Sequence, residues 1–188
     1  LEINFSNYFG LKYDGTDINT TKISNLGVGN VNYQDFNIEI KKNMSKQLKM
    51  NFTFISILYN QKVIEGYGNE KLNANIFITE GIYKFKNAQS IKLDLQHMWV
   101  KDGKGNWAAV TAEYNIAPKF TFFLADLYNY GNEYKQIHYY NAGGAFTKGS
   151  FRFMTSYGRQ REGLICVGGV CRLVPASTGF SFSTNYSF

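Results

Sequence analysis

Apolar and aromatic residues occupy every second position along most of this chain. Phe36, Ile38 and Ile40, for example, alternate with polar residues that include Glu39 and Lys41. A period of two predicts β-strands with one apolar and one polar face. Clusters of Gly, Asn, Lys and Ser separate these segments and are typical of turns.

About ten segments show this alternation. We predict strands near residues 2–13, 34–42, 47–59, 71–86, 90–101, 106–116, 119–130, 136–146, 149–160 and 175–188. No run approaches the roughly 18 consecutive apolar residues that a transmembrane helix needs, which excludes a helical membrane protein. The sequence therefore predicts an all-β, antiparallel fold in a single domain, residues 1–188.

The links between these strands alternate between long and short. Segments 14–31, 60–70 and 160–175 are long, whereas 43–46 and 117–118 are tight. Long links at one end and tight turns at the other are typical of an up-and-down outer-membrane β-barrel. The same alternation of long and short links places both ends of the chain at the tight-turn end, which is periplasmic in such a barrel. The strands of a soluble β-sandwich also alternate apolar and polar residues. The barrel interpretation therefore rests on the link lengths.

The barrel interpretation assigns a direction to each strand residue. The residues predicted to face lipid are Phe36, Ile38, Ile40, Met50, Phe52, Phe54, Ile91, Leu93 and Leu95. The residues predicted to face the lumen are Glu39, Lys41, Lys49, Asn51, Lys92, Asp94 and Arg152.

Composition supports a barrel and argues against a nucleic-acid partner. Aromatic residues make up 17% of the chain, with only 2 Pro, which favours strands. Tyr and Trp are enriched where an apolar band meets water; the candidates are Tyr8, Tyr13, Tyr59, Tyr83, Trp99, Trp107, Tyr114, Tyr128, Tyr130, Tyr139, Tyr140 and Tyr186. The net charge of +6 comes from scattered Lys and Arg rather than a phosphate-binding cluster.

The two cysteines, Cys166 and Cys171, flank the sequence Val-Gly-Gly-Val inside a long link. A Gly-Gly turn can bring two strand positions to the separation that a disulfide needs. We expect a disulfide, and hence an oxidising compartment, because the spacing fits neither a redox motif nor a zinc site. The bond would stiffen an outer loop.

The final strand resembles the C-terminal insertion signal of outer-membrane barrels. Phe180, Phe182, Tyr186 and Phe188 share one face of it, and the terminal residue is aromatic. The resemblance implies that this edge is recognised by the barrel-assembly machinery.

Candidate catalytic residues are few. His97 has Asp94 and Asp102 within reach in sequence, and His138 is the only other histidine. No triad motif, phosphate-binding loop, dinucleotide fingerprint or paired-metal spacing accompanies them. We therefore expect no enzyme, no cofactor and no metal, with a hydrolase at the barrel rim as the open alternative.

The segment from Tyr157 to Gly179 contains Tyr-Gly-Arg-Gln-Arg, Cys-Val-Gly-Gly-Val-Cys and Val-Pro-Ala-Ser. It resembles the C-terminal hallmark of an uncharacterised family of outer-membrane barrels from Bacteroidota. Members are usually longer, so the resemblance implies that Leu1 begins partway through a larger barrel. Arg159, Arg161 and Arg172 would line the lumen mouth or the outer loop.

The leading functional hypothesis is an integral barrel of the bacterial outer membrane with a structural, porin-like or transport role, in contact with lipid and lipopolysaccharide. One alternative is an accessory barrel subunit of a nutrient-uptake or secretion complex. Another is a soluble β-sandwich that acts as a binding module.

Overall fold

The structure is a computed structural model that describes residues 1–11, 28–66, 71–101, 105–167 and 170–186. Ten strands form one sheet: β1 (Glu2–Leu11), β2 (Val28–Asn43), β3 (Leu48–Tyr59), β4 (Leu72–Lys84), β5 (Gln89–Val100), β6 (Trp107–Ile116), β7 (Phe120–Asn129), β8 (Ile137–Lys148), β9 (Phe151–Gln160) and β12 (Ser177–Tyr186). A short helix, α1 (Gln61–Glu65), follows β3, and a separate hairpin of β10 (Gly163–Val167) and β11 (Val170–Val174) lies between β9 and β12.

Every neighbouring pair of strands in the sheet is antiparallel, and the spatial order is β1-β2-β3-β4-β5-β6-β7-β8-β9-β12. Only the β10–β11 hairpin interrupts the correspondence between sequence order and spatial order. The predicted all-β, ten-stranded antiparallel sheet is thus confirmed. Strands β1 and β12 form its two edges in the described part of the chain.

The predicted alternation of link lengths is also confirmed. Links 44–47, 85–88, 117–119 and 149–150 have two to four residues and lie at one end of the sheet, the tight-turn end. Links 60–71, 101–106, 130–136 and 161–176 have six to sixteen residues and lie at the opposite, long-link end. The two-residue link contains Gly149, whose φ of 57° suits glycine because it has no Cβ.

In most strands whose side chains the structure describes, one face carries large exposed apolar residues and the other carries most of the polar and charged residues. In β7, Phe120, Phe122 and Leu124 are exposed, whereas Thr121 and Phe123 between them are buried. Directly paired residues of antiparallel strands share a face, so the register extends both faces across the sheet. We call them the apolar face and the polar face.

Two details differ from the sequence-based expectation. Strand β2 begins at Val28, several residues before the predicted start near 34. Link 60–71 contains the one-turn helix α1, which has too few residues for a periodic pattern to identify it. The hairpin in the last long link agrees with the paired strand positions expected for Cys166 and Cys171.

Candidate functional site

The β10–β11 hairpin folds back onto the polar face of the sheet. Val167, at the tip of β10, is only 3% exposed and packs with Phe123, Ala145 and Met154 of β7, β8 and β9. This contact buries apolar side chains on the face that carries most of the charged residues. The hairpin belongs to the last long link, which the sequence assigns to an outer loop, and its tip packs against the sheet because Val167 finds apolar partners there.

Arg152 fixes the position of the hairpin tip. Its Nη2 donates a hydrogen bond to the carbonyl oxygen of Val167 at 3.0 Å, and its Nη1 donates one to Thr147 Oγ1 at 3.2 Å. Arg152 is the second residue of β9 and lies beside the tight turn. Strand β9 ends at Gln160, at the long-link end of the sheet. The hairpin therefore runs back along most of the length of β9. The five residues of β10 span about 16 Å at 3.3 Å each, which is consistent with this path.

A cleft of about 570 Å³ lies between the base of the hairpin and the polar face of β5 to β8. Its volume is within the range of small-ligand pockets. Its polar lining includes Lys92, Asp94, Thr111, Glu113, Asn141, Arg159, Arg161 and Glu162. Phe123, Leu127 and Val167 supply apolar surface. The cleft thus combines an apolar surface with charges of both signs.

Two arginines are held over aromatic rings at the long-link side of the cleft. The rings of Trp107 and Tyr139 are stacked, with centroids 6.3 Å apart and planes inclined by 22°. The guanidinium carbon of Arg161 lies 5.1 Å from the Trp107 ring centroid, and that of Arg159 lies 5.4 Å from the Tyr139 centroid. Such cation–π contacts hold both guanidinium groups in place. We call these four residues the arginine platform.

Carboxylates lie on the other side of the cleft, on β5 and β6. Asp94 Oδ1 accepts a hydrogen bond of 2.8 Å from Gln96, and Glu113 is only 8% exposed. Beside them, Lys92 Nζ lies 2.6 Å from Glu80 Oε2. The register places Asp94 opposite Glu80 and Lys92 opposite Glu113. Glu113 and Trp107 share β6 but are six residues apart, about 20 Å along the strand. Tyr139 and Arg159 lie beyond β7, which carries neutral residues on this face.

The residues predicted to face a lumen share the polar face, but only two of them lie in the cleft. Lys92 and Asp94 line it. Glu39, Lys41 and Asn51 form a separate cluster on β2 and β3, where Glu39 pairs with Lys41 at 2.7 Å and accepts a hydrogen bond of 2.7 Å from Asn51. Lys49 belongs to the same end of the sheet, and Arg152 anchors the hairpin. The alternation in the sequence predicted that these residues share one face, but not how far apart they lie on it.

The residues predicted to face lipid lie together on the apolar face. The register aligns Ile38 with Phe54 and Ile40 with Phe52. The exposed members are Ile40, Phe54, Ile91, Leu93 and Leu95, and the half-buried members are Phe36, Ile38, Met50 and Phe52. On β12, Phe180, Phe182 and Tyr186 are all exposed on this same face, whereas Phe188 lies outside the described residues.

Polar aromatic clusters border the apolar face at both ends. At the long-link end, His97 Nε2 lies 2.6 Å from Tyr130 Oη, and the His138 ring stacks on Tyr128 at 3.8 Å. At the tight-turn end, Tyr83 Oη donates a hydrogen bond to Gln47, and Tyr114 Oη donates one to Gln89. These tyrosines were among the predicted interface aromatics. Trp107 and Tyr139 were also among them, but they lie on the polar face.

The histidines do not form the arrangement that their sequence neighbours suggested. His97 is on the apolar face with Trp99, whereas Asp94 projects from the opposite face of β5, an odd number of residues away. Asp102 lies outside the described residues. His138 Nδ1 does lie 2.7 Å from Asp126, but Tyr128 covers the imidazole ring. Both histidines therefore belong to the aromatic border.

The cysteines occupy opposed backbone positions. Cys166 of β10 pairs in register with Cys171 of β11. Directly opposed Cα atoms of antiparallel strands are about 4.5–5.5 Å apart, a separation that a disulfide accommodates. The bond itself stays a prediction.

Two further properties of the described residues bear on other kinds of site. Within them, no helix is both long enough and apolar enough to span a membrane. Nor do three or more His, Cys, Asp or Glu residues in this part of the chain converge on a position for a metal ion.

Comparison with known proteins gives one match. Neither the curated proteins nor the solved structures contain a match to this chain. A family profile matches its whole length, residues 1–188, and no function is attached to that family. The chain belongs to the family of unknown function DUF6029.

Proposed function

We propose that this chain forms an integral β-barrel of the bacterial outer membrane with a transport role, in which the β10–β11 hairpin occupies the lumen. One observation carries the proposal: the sheet exposes many large apolar residues on one face and buries polar residues on the other. Leu124 is 64% exposed and Phe182 67%, whereas Glu113 and Asn141 are 8% and 9% exposed. In a soluble sandwich the apolar face would be buried.

The dimensions of the apolar face suit a membrane. From Ile91 to Trp99, strand β5 advances about 26 Å at 3.3 Å per residue. With the 35–45° tilt of barrel strands, this corresponds to about 20 Å along the membrane normal, close to the roughly 25 Å apolar band of outer-membrane barrels. The tyrosine and histidine clusters at both ends of the face suit the two headgroup regions.

Closure of the sheet would remove its exposed edges. Strands β1 and β12 are the edge strands, and with ten strands in an up-and-down order they run in opposite directions. Backbone groups left unpaired in lipid cost several kcal/mol each, so pairing of β1 with β12 is the arrangement that lipid favours. Both ends of the chain would then be periplasmic. The exposed aromatic row of β12 suits recognition by the barrel-assembly machinery.

The hairpin favours a selective transport role over a wide, open pore. It covers the part of the polar face that β7, β8 and β9 supply, through Val167 and the hydrogen bond from Arg152. In a closed barrel of ten strands, side chains already fill much of the interior. A hairpin in the remaining space would restrict passage to solutes that the cleft can bind. We assign no catalytic role to His97 or His138, and no cofactor.

Heat-modifiable gel mobility of the membrane-extracted chain tests this proposal. A closed barrel resists SDS until boiled and migrates differently before and after heating. We expect the chain in the outer-membrane fraction, with a heat-dependent shift. A chain recovered without detergent and lacking the shift would overturn the barrel and favour a soluble β-sandwich.

A further inference from the structure

We infer that the cleft beside the hairpin binds a short peptide, with its carboxylate on the arginine platform and its ammonium group toward Asp94. The inference adds a class of solute to the proposed transport role. It rests on that proposed role for the route by which the solute reaches the cleft. The cleft itself is a feature of the folded sheet and hairpin. Binding can therefore be measured independently of transport.

The arginine platform has the properties of a carboxylate site. A guanidinium group is planar and always charged, and it binds carboxylates through paired hydrogen bonds. Arg159 forms no ion pair with a carboxylate in the part of the chain that the structure describes, and the exposed Glu162 lies 3.7 Å from Arg161. Cation–π contacts with Trp107 and Tyr139 reduce the side-chain entropy that ligand binding would otherwise cost.

The opposite side of the cleft suits an ammonium group. Asp94 and Glu113 supply carboxylates there beside Lys92, whose ion pair is with Glu80. The Asp94 carboxylate accepts its hydrogen bond from a neutral amide, Gln96. Trp107, under Arg161, is one strand spacing and four residues from Asp94, about 14 Å, and Tyr139, under Arg159, is three strand spacings from β5. A tripeptide spans about 10 Å at 3.3–3.6 Å per residue, and the side chains from both walls shorten the remaining gap. A free amino acid is too short to reach both groups.

The aromatic rings argue against a carbohydrate. Sugars would need the open faces of Trp107 and Tyr139, but guanidinium groups lie over these rings. A purely apolar solute would displace water from the charged groups of both walls without replacing its hydrogen bonds, at a cost in free energy. Phe123, Leu127 and Val167 offer apolar surface to side chains between the two ends of a peptide. A short peptide with small apolar side chains therefore fits the chemistry of the whole cleft.

Fluorescence of Trp107 provides a direct test. The chain contains two tryptophans, and Trp99→Phe on the apolar face leaves Trp107, whose ring lies under the cleft-lining Arg161, as the sole reporter. The full chain in detergent is titrated with trialanine, with its C-terminal amide and with its N-acetyl derivative. We expect a saturable signal with trialanine and at least about tenfold weaker binding of either capped peptide, since each loses a charge-assisted hydrogen bond.

Variants locate the site. Arg159→Gln should weaken trialanine binding at least about tenfold and reduce the preference for the free carboxylate. Lys41→Gln, on the polar face but far across the sheet, should leave binding unchanged. The absence of a signal with trialanine, equal binding of the C-terminal amide, or equal binding of acetate would each overturn the peptide site. A heat-shifted barrel without binding would refute this inference alone, whereas binding without a heat shift would refute the membrane proposal alone.

Discussion

The guanidinium of Arg152 donates a hydrogen bond of 3.0 Å to the carbonyl oxygen of Val167. The two residues are 15 positions apart in sequence, at the start of β9 and at the tip of β10. The bond joins the hairpin to the tight-turn end of the sheet. It satisfies a carbonyl group of a residue that is only 3% exposed, where a missing partner would be costly.

Replacing Arg152 should release the hairpin. Arg152→Ala removes the donor to Val167, at a local cost of about 1–3 kcal/mol. We expect trypsin to cleave the folded chain after Arg172 at least about tenfold faster, because the open hairpin is more populated. Limited proteolysis followed by mass spectrometry measures this rate. Lys148→Ala, which alters an exposed residue at the adjacent turn, is the control; equal rates in the two variants would contradict the anchoring role.

Charge on the apolar face should prevent membrane assembly. Leu124→Lys places an ammonium group near the middle of β7, with an expected cost of about 2–4 kcal/mol if the site lies at the bilayer midplane. Ala125→Lys is the matched control, since it introduces the same charge one residue later, on the polar face beside the cleft. The fraction of each variant that shows heat-modifiable mobility measures how much of it assembles as a closed barrel. Phe52→Lys and Lys49→Gln repeat the comparison on β3, and equal tolerance on both faces would refute the assignment.

Oxidation of Cys166 and Cys171 should be visible by mass. Alkylation of the unfolded, unreduced chain should add nothing, whereas alkylation after reduction should modify both thiols. A loop this short is expected to contribute about 2 kcal/mol in the chain-entropy model. Reduction should therefore increase proteolysis of the hairpin. Cys171→Ser provides the control for the thiol chemistry, and labelling of both thiols without a reductant would show that the bond is absent.

Gly158 should tolerate no side chain. A Cβ at this position would collide with the Tyr140 carbonyl oxygen and the Asn141 Cα on the neighbouring strand, which belong to the backbone and cannot rotate away. We expect Gly158→Ala to lower the free energy of unfolding by about 1–3 kcal/mol, as overpacking does. Urea unfolding in detergent measures the change. At Gly81 a Cβ would approach only the flexible Met50 side chain at 3.1 Å, so Gly81→Ala should cost less; the reverse order would contradict the packing argument.

The strand pattern and the two faces follow from local sequence. Alternation in segments such as Phe36–Ile40 identifies both the strand and the side that each residue takes, because successive side chains in a strand point in opposite directions. The link lengths then determine which ends of the strands lie together. These properties depend on neighbours along the chain, and ten strands were predicted correctly on that basis.

The site required the tertiary structure. Arg161 and Trp107 are 54 residues apart in number, and no sequence period relates a loop arginine to a strand tryptophan. Trp107 was predicted as an interface aromatic, but the register of β6 places it on the polar face. His97 was linked to Asp94 by proximity in sequence, although an odd spacing in a strand separates their side chains.

The sequence by itself thus determined the element type, the alternation of faces and the antiparallel order, because each is set by side-chain periodicity and link length. Only the tertiary structure decided that the hairpin returns along β9, that Val167 packs between Phe123 and Met154, and that two arginines lie over one pair of rings. These contacts depend on the path of a long link in space. Its direction is determined by the apolar contacts and hydrogen bonds that the hairpin makes with distant strands.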